Sequence, residues 1–254
     1  MDLNYKEFGQ GDPIIILHGL FGTLDNWQTV AKQLADDYSV FILDQRNHGR
    51  SPHVDHIDYP SMADDLHRFM ETQWIHKAYI MGHSMGGKTA MQFALHYPDM
   101  VEKLVVVDIA PKAYEGGHQP IFDALFALDL KSVESRKWAD DFLKTKIEDF
   151  GVRQFLLKNL TRSKNGGYEW KMNLPILAKD YPKILEAPKA DEKFENPSLF
   201  IRGGKSDYIS ENEEERLKET FLNARVETVP NAGHWVHAEA PDALLTLVRS
   251  FFEE

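Results

Sequence analysis

Ser84 lies in Gly82-His83-Ser84-Met85-Gly86, a G-x-S-x-G pentapeptide. The apolar run Tyr79, Ile80, Met81 precedes it at strand length, and a segment that reads as helix follows to His96. A serine on so sharp a strand-to-helix turn has its hydroxyl lifted above the sheet edge, where a base can activate it for acyl transfer. The flanking glycines leave room that neighbouring β-carbons would fill. The same stretch supports a rival chemistry. G-H-S-M-G-G-K-T at 82–89 also fits G-x-x-x-x-G-K-[ST], the loop that cradles phosphates, and L-V-V-V-D at 104–108 has the form of a strand ending in a magnesium-holding aspartate.

The two chemistries make different demands elsewhere. A serine nucleophile needs a histidine near the C-terminus, a carboxylate before it at a strand end, and backbone donors after an early strand. His234 in N-A-G-H-W at 231–235 supplies the first, and His18-Gly19 after the run I-I-I-L at 14–17 marks the donor loop. A phosphate loop would follow an early strand, yet two strands with their own loop motifs precede Ser84, and it gives His18-Gly19 and Gly233-His234 nothing to do. The hydrolytic reading therefore prevails, with Lys88 and Thr89 as ordinary helix residues. Ser84 is the nucleophile and His234 the base that takes its proton and returns it to the leaving group. The amides of Met85 and Leu20 are the oxyanion donors. Two carboxylates compete for the supporting role. Asp207 occupies Gly-x-x-Asp after the next-to-last strand, and Asp108 ends the strand after the elbow helix. His18, His48 and His83 are expected to brace their loops. His53-x-x-His56 lacks acidic or cysteine companions, so neither a metal nor a cofactor is expected.

These residues need a scaffold of buried strands and covering helices. Residues 14–17, 40–43 and 79–81 are continuous apolar runs, as strands buried on both faces of a parallel sheet require, and residues 104–109, 198–202 and 226–229 read as further strands. Residues 3–8 suggest a further, short strand. Between them Trp27, Val30, Ala31 and Leu34 have helical spacing, as do Met62, Leu66, Phe69 and Met70, with Ser61 and Asp64 in the form of a capping box. Glu211 to Phe221 has the composition of an acidic surface helix, and Leu244, Leu245, Val248, Phe251 and Phe252 line one face of a closing helix. The alternation predicts an α/β fold with a mostly parallel, doubly covered sheet. It is interrupted after Pro111. Residues 111–193 show helical patches at 121–128, 135–150 and 152–160, no convincing buried strand, and Pro175, Pro182 and Pro188 as breaks. The expected organisation is a core of residues 1–110 and 194–254 with a helical cap at 111–193 over the open end of the sheet.

Composition narrows the partners. A net charge of −11 disfavours nucleic acid and anionic membrane surfaces. The absence of cysteine removes disulfides, thiolate metal sites and a cysteine nucleophile. M-D-L-N-Y-K-E-F at the N-terminus is not a secretory signal, and no apolar run approaches the ~20 residues of a membrane span. The expectation is a soluble, cytoplasmic monomer or homodimer.

Six segments together resemble the α/β-hydrolase superfamily: H-G-L-F-G at 18–22, D-Q-R-N-H-G-R-S at 44–51, G-H-S-M-G-G-K at 82–88, V-D-I-A-P at 107–111, G-G-K-S-D-Y-I at 203–209 and G-H-W-V-H-A-E at 233–239. The set is most similar to the YbfF-type esterase/thioesterase branch. That resemblance implies a cofactor-free carboxylesterase or acyl-CoA thioesterase with a small-molecule acyl ester or thioester substrate. It also implies an acid at Asp108, with Ser206 bridging toward the histidine, while Asp207 keeps the general pattern. Trp235 and Phe21 are expected to line the substrate site, with Ser206 close by. Carbon–carbon bond hydrolases and perhydrolases share the serine, whereas dehalogenases and epoxide hydrolases of this fold carry aspartate there. A binding module without catalysis would not need Ser84 and His234.

Overall fold

A computed structural model describes residues 1–189, 192–210 and 213–254. In chain order the first elements are β1 (Tyr5–Phe8), β2 (Pro13–Leu17), α1 (Gln28–Leu34), β3 (Ser39–Leu43), α2 (Tyr59–Thr72), β4 (Ala78–His83), α3 (Met85–His96) and β5 (Val101–Val107). An insertion follows with α4 (Gln119–Ala127), α5 (Arg136–Leu143), α6 (Phe150–Leu157), β6 (Leu160–Arg162), β7 (Tyr168–Trp170), α7 (Leu174–Lys179) and α8 (Tyr181–Leu185). The chain closes with β8 (Ser198–Gly203), α9 (Glu214–Thr220), β9 (Ala224–Val229), α10 (Val236–Glu239) and α11 (Pro241–Glu253).

Seven strands form one sheet in the order β1-β3-β2-β4-β5-β8-β9. Only β1 runs antiparallel, against β3. The pleat sends alternate residues to opposite faces. Ile14 and Ile16 join Val40 and Ile42 under α1 and α11, whereas Ile15 and Leu17 join Phe41 and Leu43 under α2 and α3. Both faces are thus covered, and the central strands read as unbroken apolar runs for that reason. Burying each such side chain contributes roughly 1.5–3 kcal/mol.

A third apolar cluster joins the insertion to the sheet. Phe122, Leu125, Leu156 and Leu177 pack with Leu20, Phe21, Tyr59 and Met85, which follow or flank the carboxyl ends of β2 and β4. Polar ties reinforce it: Asn159 Nδ2 donates to Phe21 O at 2.7 Å, and Ile57 N donates to Asp180 Oδ2 at 3.0 Å.

Several local expectations change. Helix α2 begins one turn earlier than Ser61: Asp58 is its N-cap and accepts from Ser61 N at 2.9 Å. The aspartate cap serves the Ser61 amide, whereas a Ser61 box would have served the Asp64 amide one turn further on. The insertion is not purely helical, because β6 and β7 pair as an antiparallel hairpin. Pro175 and Pro182 do not break helices but start α7 and α8, where a missing N–H costs nothing. Strand β5 ends at Val107, two residues before the apolar run does, so Asp108 is a loop residue. Glu211 lies outside the described residues, and α9 starts at Glu214. Among the described residues no helix is long and apolar enough to cross a membrane.

Candidate active site

All the motif loops leave the carboxyl ends of parallel strands, where open α/β sheets bind their ligands. Ser84 follows β4 at φ 54° and ψ −120°, a left-handed conformation that costs a non-glycine residue about 1–3 kcal/mol. Its amide is anchored to Val107 O at 3.1 Å, and α3 begins at the next residue. Gly82 and Gly86 make the turn possible. A β-carbon on Gly82 would lie 2.1 Å from Gly86 O, and one on Gly86 would lie 2.3 Å from Leu17 O. Both obstacles are backbone. Gly86→Ala is therefore expected to destabilise the fold by about 2–3 kcal/mol through forced displacement of β2 or α3, read as a lower urea midpoint.

His234 follows β9, and its Nδ1 donates to Asp108 Oδ2 at 2.7 Å. Asp108 is fully buried, at φ 52° immediately after β5. Its second oxygen, Oδ1, accepts from Gly203 N at 2.9 Å, and Ser206 Oγ donates to Oδ2 beside the histidine. Three donors thus converge on one carboxylate. Asp207, the alternative acid, is exposed, and His234 directs its hydrogen bond to Asp108 instead. Ser206 lies outside both cavities described below: it serves Asp108 rather than meeting substrate, because the β8 loop turns its hydroxyl inward.

His234 is held from several sides. His83 Nε2 donates to His234 O at 2.8 Å, and the Tyr208 ring stacks on the His234 ring at 4.0 Å and 20°. Burial, with His234 and His237 nearby, keeps His83 neutral by pushing its pKa well below the ordinary histidine value. His18 is braced as expected. Gln45 N donates to its Nε2 at 3.0 Å, so Nδ1 carries the proton and donates to Gly19 O at 2.8 Å. The amides of Leu20 and Met85 donate to no carbonyl among the described residues.

Two cavities meet over Ser84. The first, about 240 Å³, is lined by His234, Trp235, Phe21, Trp27 and Phe155; the second, about 270 Å³, by Met85, Lys88, Tyr59, Tyr114 and Tyr181. Leu20, Ser84, His118 and Tyr208 face both. Trp235 and Phe21, the expected lining residues, both face the first cavity. Lys88 does not behave as an ordinary helix residue. It is 1% exposed and lines the second cavity. Its spacing of four from Ser84 on one helix was the available signal, since residues i and i+4 share a face. His118 and Tyr208 carried no comparable mark.

Comparisons with known proteins agree with this geometry. The alpha/beta hydrolase fold family matches residues 12–241. Esterase YbfF of Escherichia coli (strain K12) is 40% identical, with 95% of this chain and 93% of that protein aligned. The sn-1-specific diacylglycerol lipase ABHD11 of Mus musculus is also 40% identical, covering 94% of this chain and 80% of its own. Among solved structures, a marine microorganism esterase superposes with a TM-score of 0.96 at 41% identity, covering 98% of this chain and 99% of that one. A family match over residues 12–241, relatives 40% identical over most of their length and a superposition at a TM-score of 0.96 lead to one conclusion: the chain belongs to the alpha/beta hydrolase fold family.

Proposed function

We propose that the chain hydrolyses acyl esters through a covalent acyl-enzyme on Ser84. The observation that carries this reading is the Asp108–His234 hydrogen bond of 2.7 Å, with His234 and Ser84 lining one cavity. Nδ1 of His234 gives its proton to the contact with Asp108, which leaves Nε2 as the acceptor for the Ser84 proton. The serine oxygen attacks the ester carbonyl, and the amides of Leu20 and Met85 receive the developing oxyanion. Each such donor is worth about 3–4 kcal/mol of barrier. Collapse breaks the bond to the leaving group, whose oxygen or sulfur takes the proton from His234. Water then repeats the sequence on the acyl-serine and releases the acid.

The apolar linings suit substrates of modest size, and the esterase and lipase names of the relatives support an ester bond as the target. Oxyesters and thioesters fit the same steps. A fluorophosphonate is expected to label the wild-type chain stoichiometrically at Ser84, and a panel of p-nitrophenyl esters beside acyl-CoA thioesters ranks the substrates. An unlabelled protein with no turnover on either panel would end this reading in favour of a binding module.

A further inference from the structure

The two cavities differ in what reaches them. The proton released by Ser84 must be delivered to the leaving group by His234. Only the first cavity is lined by His234, so the leaving group belongs there and the acyl group in the second. The acyl cavity is walled by Met85, Ile109, Ile184 and Leu185, and Lys88 is the one lysine or arginine in its lining, where His118 is kept neutral by burial.

Lys88 Nζ is held by main-chain carbonyls at the end of α8, one of them distant. It donates to Leu185 O at 3.0 Å and Glu186 O at 2.6 Å. Its third contact, Ile184 O, is 3.5 Å away, and that carbonyl already accepts from Tyr59 Oη at 2.6 Å. The rings of Tyr114 and Tyr59 face the ammonium at 4.8 and 5.5 Å. No carboxylate pairs with it among the described residues. Burial lowers its pKa to about 7, as expected of a charge with too little compensation. Three tyrosine hydroxyls of this cavity are committed, Tyr59 to Ile184 O at 2.6 Å, Tyr114 to Tyr208 O at 2.7 Å and Tyr181 to His118 Nδ1 at 2.7 Å. Glu115 and Asp207 also line the cavity, but both are exposed and screened by solvent, whereas Lys88 is enclosed.

We infer that the acyl cavity selects acyl groups ending in a carboxylate, with the Lys88 ammonium as the partner of that carboxylate; this rests on the Ser84 and His234 roles proposed above. Four residues along α3 span about 6 Å, comparable to the length of a short diacid. A glutaryl group bound at Ser84 would place its distal carboxylate beside Lys88. A charged hydrogen bond in a dry site is worth more than one in water, so discrimination against the plain acyl chain should be large.

The test compares monoethyl glutarate with ethyl valerate, which has the same number of acyl carbons, by pH-stat release of acid. The wild type is expected to favour the glutarate ester at least tenfold in kcat/KM, and Lys88→Met should reduce that ratio at least tenfold. Because Lys88 also holds the end of α8, a second measurement uses the wild type alone: free glutarate should inhibit ethyl valerate hydrolysis at least tenfold better than valerate does. A wild-type ratio at or below one, a ratio that Lys88→Met leaves unmoved, or equal inhibition by the two acids would overturn the inference. Failure to hydrolyse either ester, together with no fluorophosphonate labelling, would overturn the Ser84 assignment instead.

Discussion

Ser84→Ala is expected to lower kcat for a good ester by about 10⁶-fold, Asp108→Asn by about 10⁴-fold, and Asp207→Asn by less than about threefold. The first figure follows from losing the only atom that forms the covalent intermediate. The second follows from hydrogen-bond polarity. Asp108 accepts from Gly203 N on one oxygen and from Ser206 and His234 on the other. An asparagine placed there keeps its carbonyl oxygen toward the Gly203 amide and turns its NH₂ toward His234. Nδ1 must then accept, the ring proton moves to Nε2, and the base can no longer receive the Ser84 proton. Asp207 offers no such contact, and its carboxylate is exposed. Rates on p-nitrophenyl acetate, with thermal melts to show that each variant is folded, decide the matter. Equal, small losses in the two aspartate variants would mean that neither carboxylate alone orients the histidine.

The legible and illegible parts of the chain separate along physical lines. The apolar runs at 14–17, 40–43 and 79–81 were readable because a strand buried on both faces cannot hide its composition, and all six expected strands of the parallel sheet are present in it. The Ser84 turn was readable because its backbone demands glycine at 82 and 86, a covalent requirement that leaves a mark in sequence. Contacts between distant segments leave no such mark. Ser206 was expected both near substrate and bridging toward the histidine, and the path of the β8 loop puts its hydroxyl on Asp108, beside that histidine. Lys88 looked solvated because most helix lysines are; it is buried because the end of α8 presents unpaired carbonyls to it, and those lie nearly a hundred residues away. Tyr208 belongs to the quoted 203–209 motif, yet nothing in that motif shows that its ring stacks on His234. Ser61 against Asp58 is a different failure, since both are good caps and only the observed start of α2 chooses between them.

Acidification is expected to unfold the protein well above the range where its carboxylates titrate. Several histidines are enclosed in neutral form, His83 among them: burial lowers His18 and His118 to about 4, and His48 and His237 to about 3, from the ordinary 6.5. The causes are visible in the packing. His18 Nε2 must stay unprotonated to accept the Gln45 amide, His48 lies 5.0 Å from the His18 ring, and His237 stacks on Trp27 at 4.4 Å. In the unfolded chain each would take up a proton near pH 6.5, so between that value and the folded pKa the unfolded state binds more protons than the native one. Their neutral burial therefore carries no linkage penalty above pH 6.5, and stability is lost progressively as pH falls below it. At pH 5 the loss is about 2 kcal/mol for each histidine, or several kcal/mol in all, with His18 and His48 not strictly additive because they touch. Asp58, Asp180 and Glu213, whose carboxyls are held below their usual range, add nothing until the pH falls below about 4. Urea unfolding at pH 7.5, 6 and 5 should show the midpoint dropping across the first interval and more steeply across the second. His237→Phe, which keeps a ring against Trp27 but cannot be protonated, should remove roughly one proton from the measured linkage. A stability that stays flat from pH 7.5 to 5 would mean that these rings open to water at little cost, contrary to their enclosure.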